Sequence, residues 1–332
     1  MTPTQASEFI KQFTKEESKK LSNLLRNTAL TYNYSQSRLD EINLLVKQIS
    51  EKQIMAINQI IAEAYRQEYR KTYKILGKQP LSIPESAIKI LAKDTIRDLN
   101  YANEQSAISI KSIFKIAKQD IISETKISEI TLNRLMEQGT FRESANDLSI
   151  EIMKEGSTAK TKLRNLDSSE INSRVARARR SLINEKKIPG YIKTKLFKRV
   201  EGKLLEGKFI TIINKNGQPM TFGLDYYSGM VARTRFGDSQ VQASIDVGNR
   251  LGVQLYLVSD HGTTSKICLE FENKYLSTDP NLIGKHFEGR EILVFNDRSK
   301  PLYHPNCKHR LIAVPLTDEE YDFISKGKYI AS

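Results

Sequence analysis

Apolar positions in the first 155 residues recur at helical spacing. Between Leu39 and Leu76 the apolar residues Ile42, Leu45, Val46, Ile49, Met55, Ile57, Ile60, Ile61, Ala64 and Tyr65 recur at helical spacing, with charged residues between. No Pro or Gly interrupts the stretch from residue 4 to 76, so it predicts a long helix or helix pair. Gly77 and the run Lys78-Gln79-Pro80-Leu81-Ser82-Ile83-Pro84 form a break, because proline removes a helical donor and extends the residue before it. Ser82 or Pro84 starts the next apolar period, through Ile88, Leu91, Ile96, Leu99, Ile108, Ile113 and Ile116. Ser128 to Gln138 predicts a short helix closed by Gly139, after which Thr140 or Ser144 is placed to cap another.

The periodicity changes near residue 208. Lys208–Ile213 and Gln218–Phe222 flank Asn214-Lys215-Asn216-Gly217 and predict a β-hairpin, since Asn-Gly readily adopts the turn that joins twisted strands. A helix is expected from about Leu224 to Leu251, followed by a buried strand at Leu255–Ser259. Ile292–Phe295 and Leu311–Val314 predict further short strands. The expected class is α+β: an elongated, mostly α-helical N-terminal region, then a small α+β C-terminal domain. The expected divisions are a helical body over 1–155, a basic helical connector over 156–207, and the α+β domain over 208–332.

Charge adds a second feature. The chain carries 52 Lys and Arg against 39 Asp and Glu, a net +13, which favours nucleic acid or an acidic protein surface as partner. The surplus is densest in the connector, where Arg174, Arg177 and Arg180 would share one helical face ahead of Lys186 and Lys187. The alternative is a solvated basic helix with no ligand. No apolar run reaches the roughly 20 residues a bilayer requires, and the first residues lack an apolar signal core. No membrane association is expected.

The chemistry is concentrated near the C-terminus. All four histidines (His261, His286, His304, His309) and both cysteines (Cys268, Cys307) fall between residues 261 and 309. Two cysteines are too few for a disulfide framework, although a single Cys268–Cys307 bond is an alternative. Thiolate and imidazole together suit a structural zinc ion. Cys307 and His309, two residues apart, point the same way on extended backbone, and Pro305 holds His304 extended beside them. The expected ligands are Cys268, Cys307, His309 and one of His261 or His304. Ser265 stands where a second cysteine would complete a Cys-x2-Cys pair. A catalytic use of the cluster is the alternative: a metal-dependent nuclease or nucleic-acid-binding protein, or a cysteine–histidine nucleophile pair. No Gly-rich phosphate loop is present, and no small-molecule substrate is expected.

Three motifs then carry a family resemblance. Tyr226-Tyr227 with Met230-Val231-Ala232-Arg233-Thr234 resembles a helix of phage head morphogenesis proteins. Ser259-Asp260-His261-Gly262-Thr263-Thr264-Ser265-Lys266-Ile267-Cys268 and His304-Pro305-Asn306-Cys307-Lys308-His309 resemble their metal knuckles. The chain resembles the phage minor capsid family, comprising minor capsid protein 2 and the Mu F-like head proteins, over about residues 220 to 315. That resemblance implies a non-enzymatic minor head protein in the virion, at the portal vertex or capsid interior, and in the host cytoplasm during assembly. Its implied partners are the portal protein, the major capsid and scaffold proteins, and packaged DNA. Its implied work is to assist head assembly and DNA packaging or delivery.

Overall fold

A computed structural model describes residues 1–31, 33–125, 128–137, 202–213, 217–301, 303–304 and 307–327. Five helices open the chain: α1 (Pro3–Phe13), α2 (Lys15–Thr31), α3 (Gln36–Ile75), α4 (Glu85–Thr125) and α5 (Glu129–Glu137). After a short α6 (Gly202–Glu206) come β1 (Lys208–Ile213), β2 (Pro219–Gly223), the long α7 (Leu224–Leu251) and β3 (Leu255–Val258). The remainder is α8 (Lys266–Leu269), β4 (Tyr275–Ser277), β5 (His286–Phe287), β6 (Arg290–Val294), β7 (Leu311–Val314) and α9 (Asp318–Ser325). The class is α+β, a long helical region followed by a small sheet-containing one. Among the described residues, no helix is long and apolar enough to cross a membrane.

The N-terminal periodicity resolves into three helices, one more than the expected pair. Thr2 caps α1, accepting from the Gln5 amide at 3.2 Å while the Gln5 side chain accepts from the Thr2 amide at 2.7 Å, a reciprocal capping box with Pro3 next to it. The Glu137 carboxylate, at the end of α5, accepts from the Gln36 amide at 3.0 Å and the Ser37 hydroxyl at 2.7 Å. It satisfies donors that the first turn of α3 leaves unpaired, and those bonds, the Ser37 hydroxyl first, hold it below the usual carboxylate range. Ile42, Val46, Ile49, Ile57, Ile60, Ile61, Ala64 and Tyr65 are buried along α3 as expected, but Met55 is exposed, as are Ile96 and Ile108 on α4. The break at residues 76–84 stands where the prolines put it.

The chain clusters into two compact units. One comprises residues 15–50 and 101–227, the other residues 1–14, 51–100 and 228–332. The first holds the hairpin, in which β1 and β2 pair antiparallel with an irregularity between Lys208 and Ile210. The Ser109 hydroxyl donates to the Phe209 carbonyl at 2.8 Å, and Ser18 donates to Asp225 at 2.9 Å. The turn residues Asn214–Asn216, the caps expected at Thr140 and Ser144, and most of the basic connector lie outside the described residues.

The second unit contains the five-stranded sheet, ordered β5-β6-β4-β3-β7. β3 is antiparallel to both β4 and β7, while β4 and β6 run parallel. Tyr256 and Val258 of β3 enter a cluster with Val241 of α7, Phe271, Leu276, Leu311 and Ala313. Leu255 enters another with Tyr275, Leu282, Phe287, Ile292 and Ile324 of α9. Both faces of β3 are therefore covered, which explains a continuous apolar run instead of alternation. On α7, Arg235 reaches Asp98 at 2.6 Å and Asp238 at 3.3 Å, and Arg250 donates to the Tyr69 hydroxyl at 2.7 Å. Tyr65 donates to Asp246 beside them.

One contact is close enough to test this packing. A Cβ placed on Gly248 of α7 would lie 2.1 Å from the Tyr256 hydroxyl oxygen and 2.8 Å from its ring carbon. Gly248→Ala should destabilise the protein by about 1–3 kcal/mol, read from chemical unfolding. The Tyr256 hydroxyl is buried with no hydrogen-bond partner among the described residues. Tyr256→Phe should therefore be close to neutral and should recover part of the Gly248→Ala loss in the double variant. Additive effects would count against this contact.

Candidate metal centre

Three segments converge at one end of the sheet. β3 runs out through Ser259, whose amide donates to the Arg310 carbonyl at 3.0 Å and whose hydroxyl accepts from the Arg310 amide at 2.8 Å. That pairing extends the β3–β7 ladder and sets His309 beside the loop that starts at Asp260. Within the loop the Gly262 amide bonds the Asp260 side chain at 2.9 Å, with Gly262 at φ 60°. The short α8 then delivers Cys268, whose carbonyl accepts from the Phe271 and Glu272 amides at 3.0 and 2.8 Å. The third segment turns through His304, whose carbonyl accepts from the Cys307 amide at 3.1 Å.

The side chains meet in the interior. Cys268 is 0% exposed, Cys307 7% and His309 3%. One ligand atom from each lies within 4.8 Å of the others, a spacing that a single metal ion can bridge. The Cys307 sulfur is 3.3 Å from His309 Nδ1, and His304 Nε2 is 3.1 Å from the Cys268 sulfur. His261 sits differently. Its ring is exposed, bonds the Ser259 hydroxyl through Nε2 at 2.9 Å, and stands edge-on to the His309 ring at 5.3 Å. Of the five residues expected from sequence, the geometry groups Cys268, Cys307 and His309, with His304 on the Cys268 sulfur.

Glu272 is the residue that sequence reasoning missed. Its Oε1 lies 3.0 Å from His309 Nε2, and its side chain is only 9% exposed. Spacing carried a signal: Glu272 follows Cys268 by four residues, one helical turn, so both present the same side. Burial alone would raise the Glu272 carboxyl, but the amides of His261 and Thr263 and the His309 ring bring it below the usual carboxylate range. Burial lowers His309, against the pull of Glu272. Burial also raises the Cys268 thiol, opposed by Ser265 and reinforced by Cys307.

These shifts have one chemical meaning. Two adjacent thiols and a neutral imidazole in a dry site are poor at holding charge by themselves and good at holding a soft or borderline divalent cation. Cys307, His309 and Glu272 also stand in the order of a nucleophile, a base and an orienting carboxylate. A nucleophile, however, needs one accessible thiolate, and here both cysteines are buried side by side. The donor set fits a metal better. Arg174, Arg177, Arg180, Lys186 and Lys187 lie outside the described residues.

A protein-family model described as phage minor capsid protein 2 matches residues 85–315. The match runs from the first residue of α4 to just beyond β7 and includes every member of the cluster. No curated protein and no solved structure gives a match.

The shifts predict how metal-free protein responds to pH. Folding keeps the proton off His309, which the unfolded chain binds near its ordinary value of 6.5, so stability falls as pH drops through that value. Cys268 behaves oppositely. The folded state retains a proton that the unfolded chain loses near 9.0, so stability falls as pH rises past it. Urea unfolding should give a plateau between these limits. A profile that stays flat from about pH 7 down to pH 5 would contradict a buried neutral His309.

Proposed function

The chain belongs to the phage minor capsid protein 2 family, and from that premise we propose that it is a non-enzymatic minor head protein acting at the portal vertex and capsid interior. It docks on the portal and on capsid or scaffold proteins, and assists head assembly and DNA packaging or delivery. The observation that carries this is the family match itself, which spans more than half the chain and contains the whole His/Cys cluster. The net charge of +13 supports contact with packaged DNA or an acidic lining.

In this proposal the cluster is a structural zinc centre held by Cys268, Cys307, His309 and His304. Zinc in structural sites takes four protein ligands and contributes its binding energy to folding. His304 is preferred to His261 because its Nε2 already lies against the Cys268 sulfur, whereas the His261 ring is turned to Ser259 and solvent. Zinc uptake at neutral pH should release protons, the raised Cys268 thiol among their sources.

Two experiments test the two parts. Protein co-expressed with its cognate portal should sediment with portal rings or proheads, and added metal should elicit no DNA cleavage. Metal-dependent cleavage lost in His304→Ala with the fold intact would replace the assembly role with a nuclease. For the metal, carefully prepared wild-type protein should contain one zinc per chain by elemental analysis. Cys307→Ser and His304→Ala should lose tight zinc binding while His261→Ala keeps it. Loss in His261→Ala and retention in His304→Ala would reverse the choice of histidine.

A further inference from the structure

The third face of the cluster is Glu272, and its contacts are more specific than those of a chance acid beside a histidine. One carboxylate accepts from the His261 amide at 2.7 Å and from the Thr263 amide at 3.1 and 3.2 Å, and its Oε1 faces His309 Nε2 at 3.0 Å. An ionised carboxylate accepts hydrogen bonds and donates none. The nitrogen facing it must therefore carry the ring proton. With the ring neutral, Nδ1 is left as the lone pair, and Nδ1 is the atom at 3.3 Å from the Cys307 sulfur. The tautomer of His309 is thus fixed from outside the donor set.

We propose that Glu272 is the positioning residue of this centre, holding His309 in the Nε2–H form that presents Nδ1 to the ion, and tying the 259–263 loop to ion binding. The assignment rests on the metal site proposed above. It gives His261 a role that its ring does not show: the residue contributes its backbone amide. It also gives Gly262 one, since the left-handed bend there turns the amides of residues 261 and 263 onto one carboxylate. The loop and the ligand set share a single acceptor. Ordering one favours the other.

The test uses the full-length chain loaded with zinc, or with cobalt as a spectroscopic substitute. Competition against a chromophoric chelator should show zinc affinity reduced about tenfold in Glu272→Gln, where an acceptor oxygen survives without its charge. The reduction should approach about 100-fold in Glu272→Ala, the range expected for residues that orient a metal-bound histidine. Thiolate-to-cobalt absorption should persist in both variants, because the sulfur ligands are untouched. Exchange of the His261 and Thr263 amides should be slower in zinc-loaded than in zinc-stripped wild type, and that difference should vanish in Glu272→Ala. In protein labelled with ¹⁵N at histidine, His309 should show a protonated Nε2 and a metal-bound Nδ1. Wild-type affinity in Glu272→Ala, or zinc on Nε2 of His309, overturns the proposal while leaving the metal site in place. Wild-type protein that binds no zinc overturns both.

Discussion

Two cysteine sulfurs and a histidine nitrogen are brought within 4.8 Å of one another in a dry interior, and the C-terminal architecture depends on that convergence being tolerable. Each group enters on a different pretext. Cys268 comes from a single helical turn, and the other two come from the residues just before β7. That segment is fixed at its far end by the Ser259–Arg310 exchange and at its near end by the hydrogen bond from the Cys307 amide to the His304 carbonyl. Removing such polar atoms from water costs several kcal/mol each unless something answers them. Glu272 answers His309, His304 answers Cys268, and a cation would answer both thiols together.

The sheet beside the cluster shows what a cation bound there would support. Its strands are two to five residues long, and β5 and β6 pair over only two positions. Strands that short do not persist alone and need apolar cover on both faces. The cover comes from α7 through Val241 on one side and α9 through Ile324 on the other. Phe271 and Tyr303, stacked 5.0 Å apart, carry the apolar cluster up to His309, whose ring lies 5.9 Å from Tyr303. Sheet core and ligand cluster are one continuous packing arrangement.

Much of this was legible in the residue order. The α7 limits, the hairpin strands and the Leu311–Val314 strand follow from periodicity and turn chemistry, which act over a few residues. What was not legible depends on long-range partners. Met55 and Ile108 are a different case: at 3.6 residues per turn they fall roughly opposite Ile42 and Ile88, and Ile96 falls at the edge of its stripe, so the helical period itself puts them outward. Which histidine would complete the proposed site was undecidable from spacing, since His261 and His304 are both near a cysteine-bearing segment. Only the direction of each ring separates them. Glu272 was missed for a different reason: its spacing of one helical turn from Cys268 singles it out only once the histidine it faces is known.

The same arrangement bears on the choice between the proposed cation site and a thiol nucleophile. Cys307, His309 and Glu272 are aligned as in a nucleophilic site, so order alone cannot discriminate. Burial and company can. A nucleophile is made reactive by stabilising its thiolate where substrate can reach it. Here a second thiol stands beside the first, burial raises the Cys268 thiol, and His309 is held neutral in place of an imidazolium that would favour thiolate. Each of these opposes a reactive anion among the donors, and a bound divalent cation would favour the thiolates instead. A carboxylate that leaves Nδ1 unprotonated serves the same end, because a ligand must offer a lone pair. The geometry is therefore more economical as a site built to be filled than as one built to attack.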